Sequence, residues 1–405
     1  MGQQTASASL EQYVEEALVH NDELVASQAA FQAAQAKIRR TGVLPDPVLG
    51  VQYYLEPVET RTGPQEAAIS LSQRVPWPTK LSSQKKEVRL KSAIVESQLH
   101  EVQLKVVRRV KEIYIAYAFN TEARRITDEG LELLRYFESV ALTRYSAGKL
   151  DYGNVLKVQV ELARLEERQR SLHDQIEPLQ GQLNSVLGAS REIARTNPAQ
   201  LPSIIMNVNE TDLYNLARQK SPKLSGAEKA VKKAKSSLEI AESDFYPDLA
   251  FSLKTIITDE AEFADPPDSG RDPVIAGITM SIPLFRDRRN GAVAEKQQEI
   301  RAARGKRQQQ IRNLDAAIDQ GLFRYRDAQR RHTLYQKSVI PKIRQEVEVG
   351  LQAFQDGRRS VLSLLDAEKN LLELELDLKR ALADQALEVA RLEELVGVTL
   401  ADWHE

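Results

Sequence analysis

The chain repeats itself, and the repeat limits the folds open to it. With an offset of about 200 residues, Ala17-Leu18 and Leu24 are echoed by Ala217-Arg218 and Leu224. Pro45-Asp46-Pro47-Val48-Leu49 returns as Pro247-Asp248-Leu249-Ala250-Phe251, and Val75-Pro76 as Ile282-Pro283. Tyr145-Ser146-Ala147-Gly148-Lys149 returns as Phe354-Gln355-Asp356-Gly357-Arg358, and Leu187-Gly188 as Val396-Gly397. The unit reads helix, hairpin, long helix, turn, helix, and it is used twice. Residues 1–200 form the first repeat, with a hairpin over 48–75, a long helix over 79–147 and a helix over 151–187. Residues 201–405 form the second, with a helix over 210–243, a hairpin over 248–282, a long helix over 290–356 and a helix over 360–396. A further helix over 8–41 opens the chain, and the two repeats interweave into one structure.

The long helices are the next constraint. After Pro78 no proline occurs until well past Ala147, a run of roughly 68 residues or ~100 Å of helix. Its counterpart contains Pro341, which predicts a kink or a fresh start there. In 360–396 the apolar positions run from Val361, Leu364 and Leu365 to Leu392 and Leu395, too many for one narrow seam. On helices alone an ordinary solvated coiled coil is the simplest reading.

Four short segments argue otherwise, because each alternates apolar and polar residues. Leu49, Val51, Tyr53 and Leu55 oppose Gly50, Gln52 and Tyr54, and Ala67, Ile69 and Leu71 oppose Ala68, Ser70 and Ser72. Leu249, Phe251 and Leu253 oppose Ala250, Ser252 and Lys254, while Val274, Ala276, Ile278 and Met280 oppose Ile275, Gly277 and Thr279. A segment of about ten residues is long enough to cross a bilayer as a tilted barrel strand. Trp77, Phe245, Tyr246 and Phe285 gather at the strand bases, where an interfacial girdle would lie. A half-buried sheet in a water-soluble protein is the competing reading. Four strands cannot close a barrel, and an open sheet leaves unpaired backbone groups at its edges in lipid. The barrel reading therefore requires several copies of the chain.

Composition excludes more than it selects. A formal net charge of −2 gives no bulk attraction to nucleic acid or anionic lipid. Mean hydropathy is −0.43, and no apolar run approaches the ~20 residues of a spanning helix. Without cysteine there are no disulfides or thiolate metal sites. Five histidines lie scattered, and there is no phosphate-binding glycine loop or nucleophile elbow. No enzyme, cofactor or resident metal is implied. The opening Met1-Gly2-Gln3-Gln4 lacks the basic and apolar regions of a secretory signal, and a myristoylation reading is weak because Ser7 is one position late.

This layout, with Ser72-Gln73-Arg74-Val75-Pro76-Trp77-Pro78-Thr79-Lys80 and Ser281-Ile282-Pro283-Leu284-Phe285 at the strand ends, resembles the TolC family of outer-membrane efflux factors. The Pro-Trp-Pro junction leans towards its heavy-metal branch of RND-type pumps. The resemblance implies a mainly helical fold with a small β portion: a helical barrel continuous with a transmembrane β-barrel, four strands per chain, completed as a homotrimer. It implies a passive exit duct in the outer membrane that extends into the periplasm. The partners would be a periplasmic adaptor, an inner-membrane pump and outer-membrane lipid, with no nucleic acid. The cargo would be metal ions or drugs. The tip turns would lie at Gly148 and Gly357. Asp366 would occupy one position of a constricting carboxylate ring and Ser363 the other. Arg359 would tie to the first repeat near Asn154, and Phe354 stands where the family carries a tyrosine. Arg74 and Lys254 would line the barrel lumen. A coiled-coil scaffold or a periplasmic adaptor is the alternative, although an adaptor carries one helical hairpin and this chain carries two duplicated sets.

Overall fold

A computed structural model describes residues 9–198, 200–206, 208–263 and 266–404. The opening residues Met1-Gly2 and Ser7 lie outside them. The helices are α1 (Leu10–His20), α2 (Asp22–Arg39), α3 (Pro78–Ser146), α4 (Tyr152–Asp174), α5 (Ile176–Leu187), α6 (Glu210–Lys220), α7 (Pro222–Ser243), α8 (Arg286–Leu334), α9 (Ile340–Gln355) and α10 (Val361–Val396). The strands are β1 (Val48–Thr60), β2 (Gly63–Val75), β3 (Ser203–Met206), β4 (Leu249–Thr258), β5 (Val274–Met280) and β6 (Ala401–His404).

Three helices expected as single pieces are each broken in two, for local reasons. Asn21 is extended, with φ −65° and ψ 123°. Its side-chain oxygen accepts from the Leu24 N–H at 3.0 Å and its amide donates to the Val186 carbonyl at 2.7 Å, which ends α1 and starts α2. Ser221 is extended because Pro222 follows it. The break at Gln175 lies three residues ahead of Pro178, which has no N–H to donate to the Asp174 carbonyl. Pro341 acts differently. A π-helical turn at Tyr335–Val339 admits one extra residue just before it, so the helix continues into α9 without a break.

By contact density the chain divides into two units, each drawn from both repeats. The first comprises Met1–Gln28, Gln98–Lys223 and Ile311–Glu405. The repeat is visible inside it as two equivalent cores. Leu10, Tyr13 and Ala17 pack on Val106, Val110 and Tyr114 with Leu183 and Leu187. Leu213 and Ala217 pack on Leu314, Ile318 and Leu322 with Leu392 and Val396. Gly188 and Gly397 end the corresponding helices at φ 69° and 90°. A third core joins α3, α4, α9 and α10 through Phe137, Val155, Val158, Phe354, Val361 and Leu364. Strands β3 and β6, which the sequence pattern did not reveal, pair antiparallel with Ser203 opposite His404.

The second unit comprises Ala29–Ser97 and Leu224–Gln310. Here α7 lies against α3 through small residues: Ser236 Oγ donates to the Ser83 carbonyl at 3.2 Å, and a Cβ on Gly226 would sit 3.5 Å from Ser97 Cβ. Its sheet is antiparallel in the order β1-β2-β4-β5. Pro57, unable to donate, falls where the β1–β2 register shifts between Tyr53 and Val58. Strand β5 has only 7 residues, shorter than its alternating pattern suggests.

Candidate functional site

Two features hold the residues that the sequence singles out: the sheet of the second unit and the helix turns of the first.

The register places Val51 opposite Ile69, Leu71 opposite Leu253, and Phe251 opposite Ile278, so the apolar positions of all four strands share one face. That face is bare. Val51 is 70% exposed, Leu55 93% and Ile278 70%. Gly50, Ser70 and Lys254 align across the other face, where a Cβ on Gly50 would lie 2.7 Å from Ser70 Oγ. Lys254 Nζ points to Gln52 Oε1 at 3.5 Å. Arg74 pairs with Asp248 at 2.7 Å, and Asp248 also accepts from the Trp77 N–H at 3.2 Å. At this end Trp77 stacks on Tyr246, with centroids 5.0 Å apart and planes 8° from parallel. Ile282, Leu284 and Phe285 extend the exposed apolar surface past β5. The outer edges of β1 and β5 pair with no other strand among the described residues.

The two helix turns are built alike. At the end of α3 the Gly148 N–H donates to Tyr145 O at 2.9 Å and the Lys149 N–H to Arg144 O at 2.9 Å, with Gly148 at φ 66°. At the end of α9 the Gly357 N–H donates to Phe354 O at 3.0 Å and the Arg358 N–H to Ala353 O at 2.8 Å, with Gly357 at φ 79°. Only glycine takes this left-handed conformation without strain. Ser360 then caps α10 by accepting from the Ser363 N–H at 3.3 Å, while Asp151 precedes α4 without a side-chain cap bond.

Arg359 uses its donors inside its own repeat. Nε donates to Ser363 Oγ at 2.9 Å and Nη2 to Glu346 Oε1 at 3.0 Å. Gly350 leaves room for the guanidinium, since a Cβ there would stand 2.6 Å from Arg359 Nη1. No hydrogen bond joins Arg359 to Asn154, whose backbone N–H donates to Asp151 O at 3.0 Å. At this turn the repeats are linked instead through Arg144 and Tyr136 of α3, which meet Phe354 and Gln355. Arg144 of α3 lies 4.6 Å from the Phe354 ring centroid and donates to the Gln355 carbonyl, while Gln355 Nε2 donates to Tyr136 OH at 2.9 Å. Phe354 itself is buried at 1% exposure. The Arg144 cation lies over its face. Further along α10, Lys379 pairs with Glu122 at 2.9 Å and Lys111 with Glu393 at 2.6 Å. Asp366 is exposed, with no ion pair among the described residues.

Among the described residues no helix is long and apolar enough to cross a membrane, and no cluster of His, Asp and Glu is placed to hold a metal. Chemically, the arrangement offers a sheet with one apolar face and a set of polar ties between helices.

Residues 213–398 match the sequence model of the family described as outer membrane efflux protein. No curated protein matches the chain. Among solved structures, the outer membrane protein VceC of Vibrio cholerae superposes with a TM-score of 0.80 at 18% identity, covering 96% of this chain and 96% of that one. CusC gives 0.75 at 16% identity over 97% of this chain and 93% of its own. The CmeC outer membrane channel of Campylobacter jejuni gives 0.73 at 13% identity over 98% and 89%. Residues 213–398 thus resemble the outer membrane efflux protein family in sequence, and the whole chain shares the fold of these outer-membrane proteins.

Proposed function

We propose that the protein is the outer-membrane exit duct of a tripartite efflux system. Three copies close their sheets into a twelve-stranded barrel, and their helices form the periplasmic part of the passage. Metal ions or drugs move through it passively, driven by an inner-membrane pump coupled through a periplasmic adaptor. The observation that carries this reading is the four-stranded sheet with one bare apolar face and two unpaired edges. In water such a face is costly at about 25 cal/mol per Å², and in lipid such edges are intolerable unless the sheet is closed. Lipid on one side and sister strands at the edges satisfy both requirements. A coiled-coil scaffold or an adaptor leaves the face unexplained.

In this reading Arg74 and Lys254 line the lumen, the turns at Gly148 and Gly357 meet the adaptor, and Asp366 with Ser363 narrows the entrance. Opening separates the α9–α10 pair from α3, so the latch at Arg144, Tyr136, Phe354 and Gln355 must part. The test is the mass of the detergent-solubilised protein together with its conductance in planar bilayers. A trimer that conducts, with cation preference altered by Asp366→Lys, is expected. A non-conducting monomer that needs no detergent overturns the reading.

A further inference from the structure

Between α3, α4 and α10 lies a pocket of about 170 Å³ that no latch or turn uses. Its floor is apolar: Leu134, Leu165, Leu365 and Leu372, with Gly130 bare so that Leu372 can come close. Into it projects Glu368, only 6% exposed, with Oε2 lacking a hydrogen-bond partner among the described residues. A carboxyl in this position carries an unmet demand, because a buried ionised oxygen needs a donor or a counter-ion.

The charged groups around it do not meet that demand. From α4 come Glu161, Arg164 and Arg168, and from α10 itself Lys369 and Glu373; α3 contributes no charge to the lining. Arg164 is taken by Glu161 at 2.8 Å, and Arg168 and Lys369 are exposed. Glu375, about two turns along α10, adds repulsion but is itself paired with Arg344 at 2.6 Å. Burial foremost, then Glu375, pushes the Glu368 carboxyl up to about 7.

We infer that this pocket is a binding site for a compact amphipathic ammonium ion, its cationic group on Glu368 and its apolar body on the four leucines. The size suits one ring, since a dry cavity of about 150 Å³ in another protein accepts benzene. Glu368 lies two residues beyond Asp366 and one turn beyond Leu364 and Leu365, so an occupant wedges α10 against α3 and α4 beside the proposed entrance. The inference rests on the first unit alone and goes beyond the exit-duct reading.

The experiment titrates 2-phenylethylammonium into the purified full-length protein in detergent, by calorimetry, between pH 6 and pH 8. Saturable binding about tenfold tighter at pH 8 than at pH 6 is expected, following ionisation of Glu368. Glu368→Gln flattens that profile and weakens binding at least tenfold. Leu134→Phe, which fills the floor, lowers affinity while keeping the pH slope, and Asp377→Asn on the exposed side of α10 changes nothing. Equal binding to Glu368→Gln, a pH-independent affinity, or preference for phenylacetate over the amine overturns the site. Channel conductance is not read in this assay, so its failure leaves the exit-duct reading untouched.

Discussion

The Arg144 guanidinium lies 4.6 Å from the centre of the Phe354 ring and donates to the carbonyl of the next residue, Gln355. One side chain of the first repeat thus grips both the aromatic and the backbone that lead into the second repeat's turn. Cation–π contacts contribute about 0.5–2 kcal/mol, more when shielded from water. Arg144→Ala should therefore loosen the hold of α3 on this turn and, under the exit-duct proposal, raise single-channel open time several-fold in planar bilayers. Arg144→Lys, which keeps the charge but loses the planar fork, should fall between the two. Identical gating in all three proteins would remove Arg144 from the latch.

Stability should depend on pH through Glu368. Its folded carboxyl titrates at about 7, against an ordinary value of 4.5. The folded state therefore holds the proton more tightly, and its advantage is complete below the unfolded value. That advantage is lost as pH rises from 4.5 through 7. The full span is on the order of 3 kcal/mol. Chemical denaturation at pH 5 and pH 8 should show the loss, and Glu368→Gln should be the more stable protein at pH 8.

The two faces of the sheet should tolerate charge unequally. Leu253→Arg places a cation on the bare apolar face, at a cost of about 2–4 kcal/mol near the bilayer midplane. Lys254→Glu, one residue away, reverses a charge on the opposite face. Heat-stable oligomer on gels should disappear for the first and persist for the second, with ion selectivity shifted in the second alone.

Gly188 and Gly397 should be irreplaceable at equivalent places. A Cβ on Gly188 would stand 2.2 Å from His20 O, and one on Gly397 would stand 2.6 Å from Lys220 O. Both residues also have positive φ. Alanine at either should cost roughly 1–3 kcal/mol, read as a lowered melting temperature.

What could be read from the sequence depended on the range of the interaction involved. The proline-free run ending near Ala147 became α3 nearly to the residue, because helix length is set by local breakers. The alternation around Val51 and Ile278 survived as a shared face for the same reason. The breaks at Asn21 and Gln175 were missed although Asn and Pro stood in view: each acts through a partner or a missing donor a few residues away, and periodicity averages over such events. Strand β6 pairs with residues some 200 positions earlier, and four residues hold too little pattern to announce that. The tie implied between Arg359 and Asn154 illustrates a different limit. A motif transfers residue types, while the partner depends on every neighbour. Here Gly350 opens a berth that keeps Arg359 with Glu346 and Ser363.

The π-turn ahead of Pro341 acts as an angular spacer. One surplus residue rotates everything after it by about 100° relative to an unbroken α-helix. Excising a single residue from Tyr335–Val339 would give a more regular rod, yet swing Phe354 out from under Arg144. The irregular turn in the helix sets the phase on which the contact between Phe354 and Arg144 depends.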